Sequence, residues 1–175
     1  GVYRFNVFQI KRAHKKCDVL ISGGGSLLQD ATSTRSLMYY LYIIKLAKKK
    51  GKKVMLYANG IGPVERRHNR DKVKNLITNV DVITLRDFSS MEELKNMGVL
   101  REDMHVTADP VFSLGCPDEE TIGRILEENH VPADRPFVAV SIRNWLGIEM
   151  ACSKIAAVCD KIYQEYGYHI VFVPM

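Results

Sequence analysis

Two arginines and two glycine-bearing turns are the residues of this chain best suited to chemistry. Arg86 follows the apolar run 81–85 and precedes Asp87. Arg143 follows the run 137–142 and precedes Asn144 and Trp145. A guanidinium at a strand end can hold a phosphate or carboxylate by two parallel hydrogen bonds. The alternative for Arg86 is an inconsequential surface pair with Asp87. Gly23, Gly24, Gly25 and Ser26 follow the apolar run 18–22, and Asn59, Gly60, Ile61, Gly62 and Pro63 follow the run 53–58. Glycine takes positive φ and lets a ligand approach the main chain. A helix starting just after the triple glycine would aim free N–H groups and its positive dipole end at the same space. The natural occupant is an anion; a tight turn without a ligand is the other reading. Neither familiar nucleotide fingerprint, G-x-G-x-x-G or G-x-x-x-x-G-K-[ST], is present.

Among the acids, Asp30 lies just past the glycines and Asp109 just before Pro110. Either can act as a general base or hydroxyl ligand. A helix cap is an equal alternative for Asp30, and an ordinary turn residue for Asp109. Arg86 and Asp30 are therefore the catalytic candidates. Trp145 offers a sugar-stacking ring or a packing anchor. The five histidines show neither triad nor metal spacing, and no G-x-S-x-G marks a hydrolase serine. Cys17, Cys116, Cys152 and Cys159 form no C-x-x-C, which points to reduced structural thiols and to no metal.

The elements that must position these residues alternate strand and helix at about 30 residues per step, the size of a β-α-β unit. Strands are expected at 18–22, 53–58, 81–85 and 104–107, with helices at 36–49, 69–78 and 90–97. Residues 7–16 read as the end of a helix. Ser89 with Glu92 reads as a capping box for the helix at 90. The pattern predicts an α/β fold, a Rossmann-like parallel sheet with helices on both faces. Right-handed crossovers would bring the loops at 23–26, 59–64, 86–87 and 108–110 to one edge, where open parallel sheets bind ligands. Residues 1–112 read as this domain, 113–136 as a linker with one short helix, and 137–175 as the start of a second Rossmann-like domain. The absent first strand and the stop on a buried strand read as truncation at both ends.

The 175 residues, 46% hydrophobic and 26% charged, have an ordinary globular composition. No apolar run reaches the roughly 18 residues of a membrane span, and no signal peptide is visible. Net charge is +5. The positives gather at 11–16, 45–53 and 66–74, either a solvated face or a surface for an acidic substrate or anionic membrane. Nucleic acid is disfavoured, because no aromatic residues interleave with the basic ones.

The ordered set Ser22 to Asp30, Tyr57 to Val64, Thr84 to Asp87 with Ser89, Asp109-Pro110, and Val140 to Arg143 with Trp145 resembles the polysaccharide pyruvyl transferase family. The likeness is to bacterial members that act on secondary cell-wall polysaccharide, and it runs from about Lys16 to the end. It implies a two-domain GT-B-like architecture with a cleft between Rossmann-like halves. It also implies transfer of a pyruvyl group from phosphoenolpyruvate to two hydroxyls of a sugar, with a ketal formed and phosphate released. No cofactor is implied. The partners implied are phosphoenolpyruvate and a saccharide acceptor, expected to be lipid-linked. The expected location is the cytoplasm, with peripheral contact at the inner membrane face. Substrate binding is expected at Gly23, Gly24, Gly25, Ser26, Asn59, Gly60, Gly62, Arg86, Arg143 and Asn144. Family members take a histidine and a basic residue from later sequence, so no catalytic histidine is carried over and the chain alone is expected to be inactive. A nucleotide-sugar glycosyltransferase and a non-catalytic saccharide-binding module are the competing readings.

Overall fold

The computed structural model describes residues 6–132, 134–143 and 148–174. The chain divides into two compact units, Gly1–Gly115 and Cys116–Met175.

The first unit is a four-stranded parallel sheet with helices. Strands β1 (Val19–Gly23), β2 (Lys53–Asn59), β3 (Val82–Leu85) and β4 (Met104–Val106) lie side by side in chain order. Helix α1 (Val7–Lys16) precedes β1, and α2 (Thr34–Lys49), α3 (Arg67–Ile77) and α4 (Phe88–Asn96) join the strands. Sequential order has a consequence. Right-handed crossovers that all step the same way put the joining helices on one side. Leu20, Val54, Leu56, Ile83, Leu85 and Met104 of the sheet accordingly pack with Leu37, Leu41 and Ile44 of α2, Val73 and Ile77 of α3, and Leu94 of α4. The opposite side carries Val19, Ile21, Tyr57 and Val82 at 49, 61, 42 and 44% exposure. The expectation of helices on both faces is thus corrected for the described residues. Helices on both faces would need a strand order that reverses, which periodicity does not reveal.

The helix ends follow side-chain caps. Asn6 Oδ1 accepts from Gln9 N–H, so α1 begins there and is not the tail of a longer helix. Ser33 caps α2 through Ser36 N–H. The predicted capping box at Ser89 is also corrected: α4 starts two residues earlier, and Asp87 caps it through Ser90 N–H at 2.8 Å. The Ser89 hydroxyl donates to that same carboxylate. A carboxylate is the stronger acceptor at the positive end of the helix, so it wins over the neighbouring serine.

The second unit holds a 3-turn α5 (Glu119–Glu128) and parallel β5 (Phe137–Ile142) and β6 (His169–Pro174), joined by α6 (Ile148–Tyr166). Helix α5, read as part of a linker, belongs to this unit. Its Asp118 caps it through Thr121 N–H.

Candidate functional site

A bulge near the end of β2 shapes the rim of the first sheet. Ala58 adopts φ 46°, and the β2–β3 register slips between Leu56 and Asn59. Left-handed backbone at alanine is strained, and such bulges re-aim strand ends. The Thr84 hydroxyl fills the broken ladder, accepting from Ala58 N–H at 2.8 Å. Beyond the bulge Asn59, Gly60 and Ile61 are all buried.

The two glycine turns are zipped together. Gly24 N–H donates to the Tyr57 carbonyl at 3.2 Å, Gly60 N–H to Gly25 at 3.1 Å, and Gly62 N–H to Leu28 at 2.8 Å. No helix starts directly after the triple glycine: eight residues, 26–33, intervene before α2. The expected helix dipole at this turn is therefore absent. The donors that remain are local. Neither Gly25 N–H nor Ser26 N–H finds an acceptor among the described residues.

Arg86 closes the rim. Its N–H donates to the Asn59 carbonyl, which places it on the Gly60 turn. Its guanidinium is fixed at three corners. Nη2 donates to Ser26 Oγ at 3.0 Å, Nε donates to Asp87 at 3.2 Å, and Nη1 stands 3.5 Å from an Asp109 oxygen. Gly60 must be glycine for this approach, since a Cβ there would stand 2.7 Å from Ser26 Oγ and 2.8 Å from Arg86 Nε. Asp87 is held down to about 2, by the Ser90 hydroxyl first and then by Ser90 N–H, Ser89 and Arg86. It is ionised at neutral pH. With Asp109 it offsets the Arg86 charge, so the rim offers directed donors more than a surplus of positive charge.

Gly23, Gly24, Gly25, Ser26, Asn59, Gly60 and Arg86 thus share one rim, with Asp109 beside them. Gly62 belongs to the same turn, but a Cβ there would meet Glu93 of α4 at 2.8 Å. Asp109 also caps the 3-10 turn Pro110–Ser113 through Val111 N–H. Arg143 directly follows β5 in the second unit, and Asn144 and Trp145 lie outside the described residues.

Asp30 is elsewhere in function. It is 8% exposed and accepts from Glu65 N–H at 2.8 Å, Arg66 N–H at 3.3 Å and Asn69 Nδ2 at 2.6 Å. Burial alone would raise its pKa; Asn69 and the two N–H groups outweigh this and lower it. Those bonds occupy both oxygens and tie the segment before α3 to the turn after the glycines. Asp30 caps neither adjoining helix, since Ser33 caps α2 and α3 has no side-chain cap; it is a buried anchor between the two loops.

Sequence reasoning left Asp87 as a mere partner of Arg86 and gave no role to Thr84 or Ser90. Ser90 Oγ accepts from Ile61 N–H at 2.9 Å and pins the second glycine turn to α4. The spacing Asp87-x-x-Ser90 is the signal that could have found the cap. Among the described residues no three His, Cys, Asp or Glu side chains cluster as a metal would need.

The model of the family described as polysaccharide pyruvyl transferase matches residues 2–175. No curated protein and no solved structure matches the chain.

Proposed function

The chain belongs to the polysaccharide pyruvyl transferase family, and on that premise we propose that it moves a pyruvyl group from phosphoenolpyruvate onto a sugar of a cell-wall or surface polysaccharide. The supporting observation is the meeting of Arg86, Ser26 and Gly60 at one rim, beside the unused N–H groups of Gly25 and Ser26. Phosphoenolpyruvate carries two anionic groups on a three-carbon frame. Charge-assisted hydrogen bonds of fixed direction are what such a ligand recognises.

In this reading Arg86 and the Gly25 and Ser26 N–H groups hold the donor. Its incoming anion takes the place of Asp109 at Nη1, the longest of the three guanidinium contacts. The displaced Asp109 carboxylate then stands free to accept the proton of a sugar hydroxyl. The first sugar oxygen bonds to the phosphate-bearing carbon as its proton passes to Asp109, and the terminal enol carbon takes one proton from water and becomes methyl. The second sugar oxygen bonds to the same carbon, the carbon–oxygen bond to phosphate breaks, and inorganic phosphate leaves with the second hydroxyl's proton, while Asp109 returns its proton to water. The product is a pyruvate ketal.

We place the reaction in the cytoplasm on a lipid-linked acceptor, with the two units as Rossmann-like halves of the GT-B type. No helix of the described residues is long and apolar enough to cross a membrane. The test is phosphate release from phosphoenolpyruvate on adding a β-glycoside acceptor. Acceptor-dependent release is the expected result. Release of a nucleoside diphosphate from a nucleotide sugar, with no phosphate from phosphoenolpyruvate, would move the chain to glycosyl transfer.

A further inference from the structure

Helix α1 is anchored on one side and bare on the other. Ile10 and His14 are buried, whereas Lys11, Arg12, Lys15 and Lys16 are exposed and Phe8 is 85% exposed. Lys50, the C-cap residue of α2, donates its ammonium to the Lys11 carbonyl at 3.0 Å, which joins the two helices. Phe8 and these five cations line one concavity. None of Lys11, Arg12, Lys15 and Lys16 pairs with a carboxylate among the described residues, while nearby Lys48 and Lys53 are both held by Asp81.

We propose that the outer side of α1, with Lys50, docks on an anionic bilayer. Clustered cations meet lipid phosphates at about 1 kcal/mol each, corresponding to roughly fivefold in partition per residue. An aromatic ring beside them belongs at the headgroup–acyl boundary. A nucleic-acid duplex or heparin would satisfy the cations but offers Phe8 no open base or acyl chain to bury against.

The Lys15, Lys16 and Lys50 end of this surface lies by the starts of the strands, away from the rim. Lys15 and Lys16 lead into the start of β1 and Lys50 precedes the start of β2, while the glycine turns follow the ends of both strands. The seven residues of β2 set these ends about 20 Å apart. Docking by that end would leave the rim open to a sugar carried on a lipid anchor. That consequence rests on the transferase reading; the docking itself does not.

The test is co-sedimentation of the chain with phosphatidylcholine vesicles, with and without phosphatidylglycerol, in the absence of donor and acceptor. The chain should sediment with the phosphatidylglycerol vesicles and be released by salt. The combined variant Lys11→Gln, Lys15→Gln, Lys16→Gln should lower the partition coefficient roughly a hundredfold, and Phe8→Ala roughly tenfold. All four sites are exposed, so unchanged thermal melts confirm folding. Equal sedimentation with phosphatidylcholine alone, no sedimentation with either, or a triple variant that binds like the parent would overturn the proposal. So would heparin binding that Phe8→Ala leaves untouched, if it came without vesicle binding. Failure here leaves the phosphate-release result standing, and the reverse holds.

Discussion

Arg86 Nη2 donates to Ser26 Oγ at 3.0 Å, although the two residues are sixty positions apart. The contact exists because Gly60 lies between them with no side chain. A Cβ at Gly60 would come within 2.9 Å of the guanidinium carbon as well as the nearer atoms. Gly60→Ala should therefore push Arg86 off Ser26. Overpacking of this kind costs about 1–3 kcal/mol of stability. Denaturant unfolding measures that cost, and phosphoenolpyruvate protection in the same variant should fall at least tenfold in apparent affinity, in line with about 1.5 kcal/mol or more for a lost charge-assisted bond. Full protection in Gly60→Ala would detach the glycine from the donor site.

Asp109 is expected to oppose binding and assist transfer. Asp109→Asn keeps an oxygen that can accept from Val111 N–H but removes a negative charge near Arg86. Donor affinity should rise several-fold in a titration, while acceptor-dependent phosphate release falls on the order of a hundredfold, the usual share of a general base. If binding and release change together in one direction, the exchange at Nη1 is wrong.

Asp30 should prove a matter of stability. Asp30→Ala leaves Glu65 N–H, Arg66 N–H and the Asn69 amide without their acceptor. Stranding a buried donor costs about 1–3 kcal/mol, and with the Asn69 amide buried and the two N–H groups half-buried a loss of about 3 kcal/mol in urea unfolding is expected. At a temperature where the variant is still folded, donor affinity should match the parent. A variant of parental stability that has lost transfer would restore Asp30 to the chemistry.

Asp87 sets an acid limb. Its folded pKa, about 2, lies below its ordinary value of 3.8. A lowered carboxylate contributes stability that is complete above the unfolded value and is lost as pH falls towards the folded one. Asp87→Asn keeps a capping oxygen but removes the charge, so it should lower stability at pH 7 by about 1 kcal/mol, the share of a negative charge at a helix N-terminus. The deficit should shrink between pH 4 and pH 2, read from urea midpoints along a pH series. A constant difference across that window would contradict the assignment.

Much of this was legible in the residues. The apolar runs before each glycine turn gave strands close to β1 and β2, and parallel pairing then brought Gly24, Gly60 and Arg86 to one edge. Local composition does not encode strand order, which is why the bare face of Val19, Ile21 and Tyr57 was not foreseen. A helix was expected to start just after the triple glycine, the local preference of a strand–turn–helix step. The Leu28–Ile61 bridge, a long-range pairing, overrides that preference. The Asp30 anchor spans to Asn69, thirty-nine positions away, and no spacing rule reaches so far. Asp87 displaced Ser89 as the cap because its carboxylate is the stronger acceptor at the positive helix end, a preference that the capping-box spacing does not weigh.

The most direct measurement is amide NMR of the chain titrated with phosphoenolpyruvate. The account predicts saturable shifts concentrated at the Gly25 and Ser26 N–H and the Arg86 Nε–H. Arg86→Lys should abolish them, because a point charge cannot reproduce the planar fork. Shifts centred on other residues, or shifts at Gly25 and Ser26 that persist unchanged in Arg86→Lys, would contradict it.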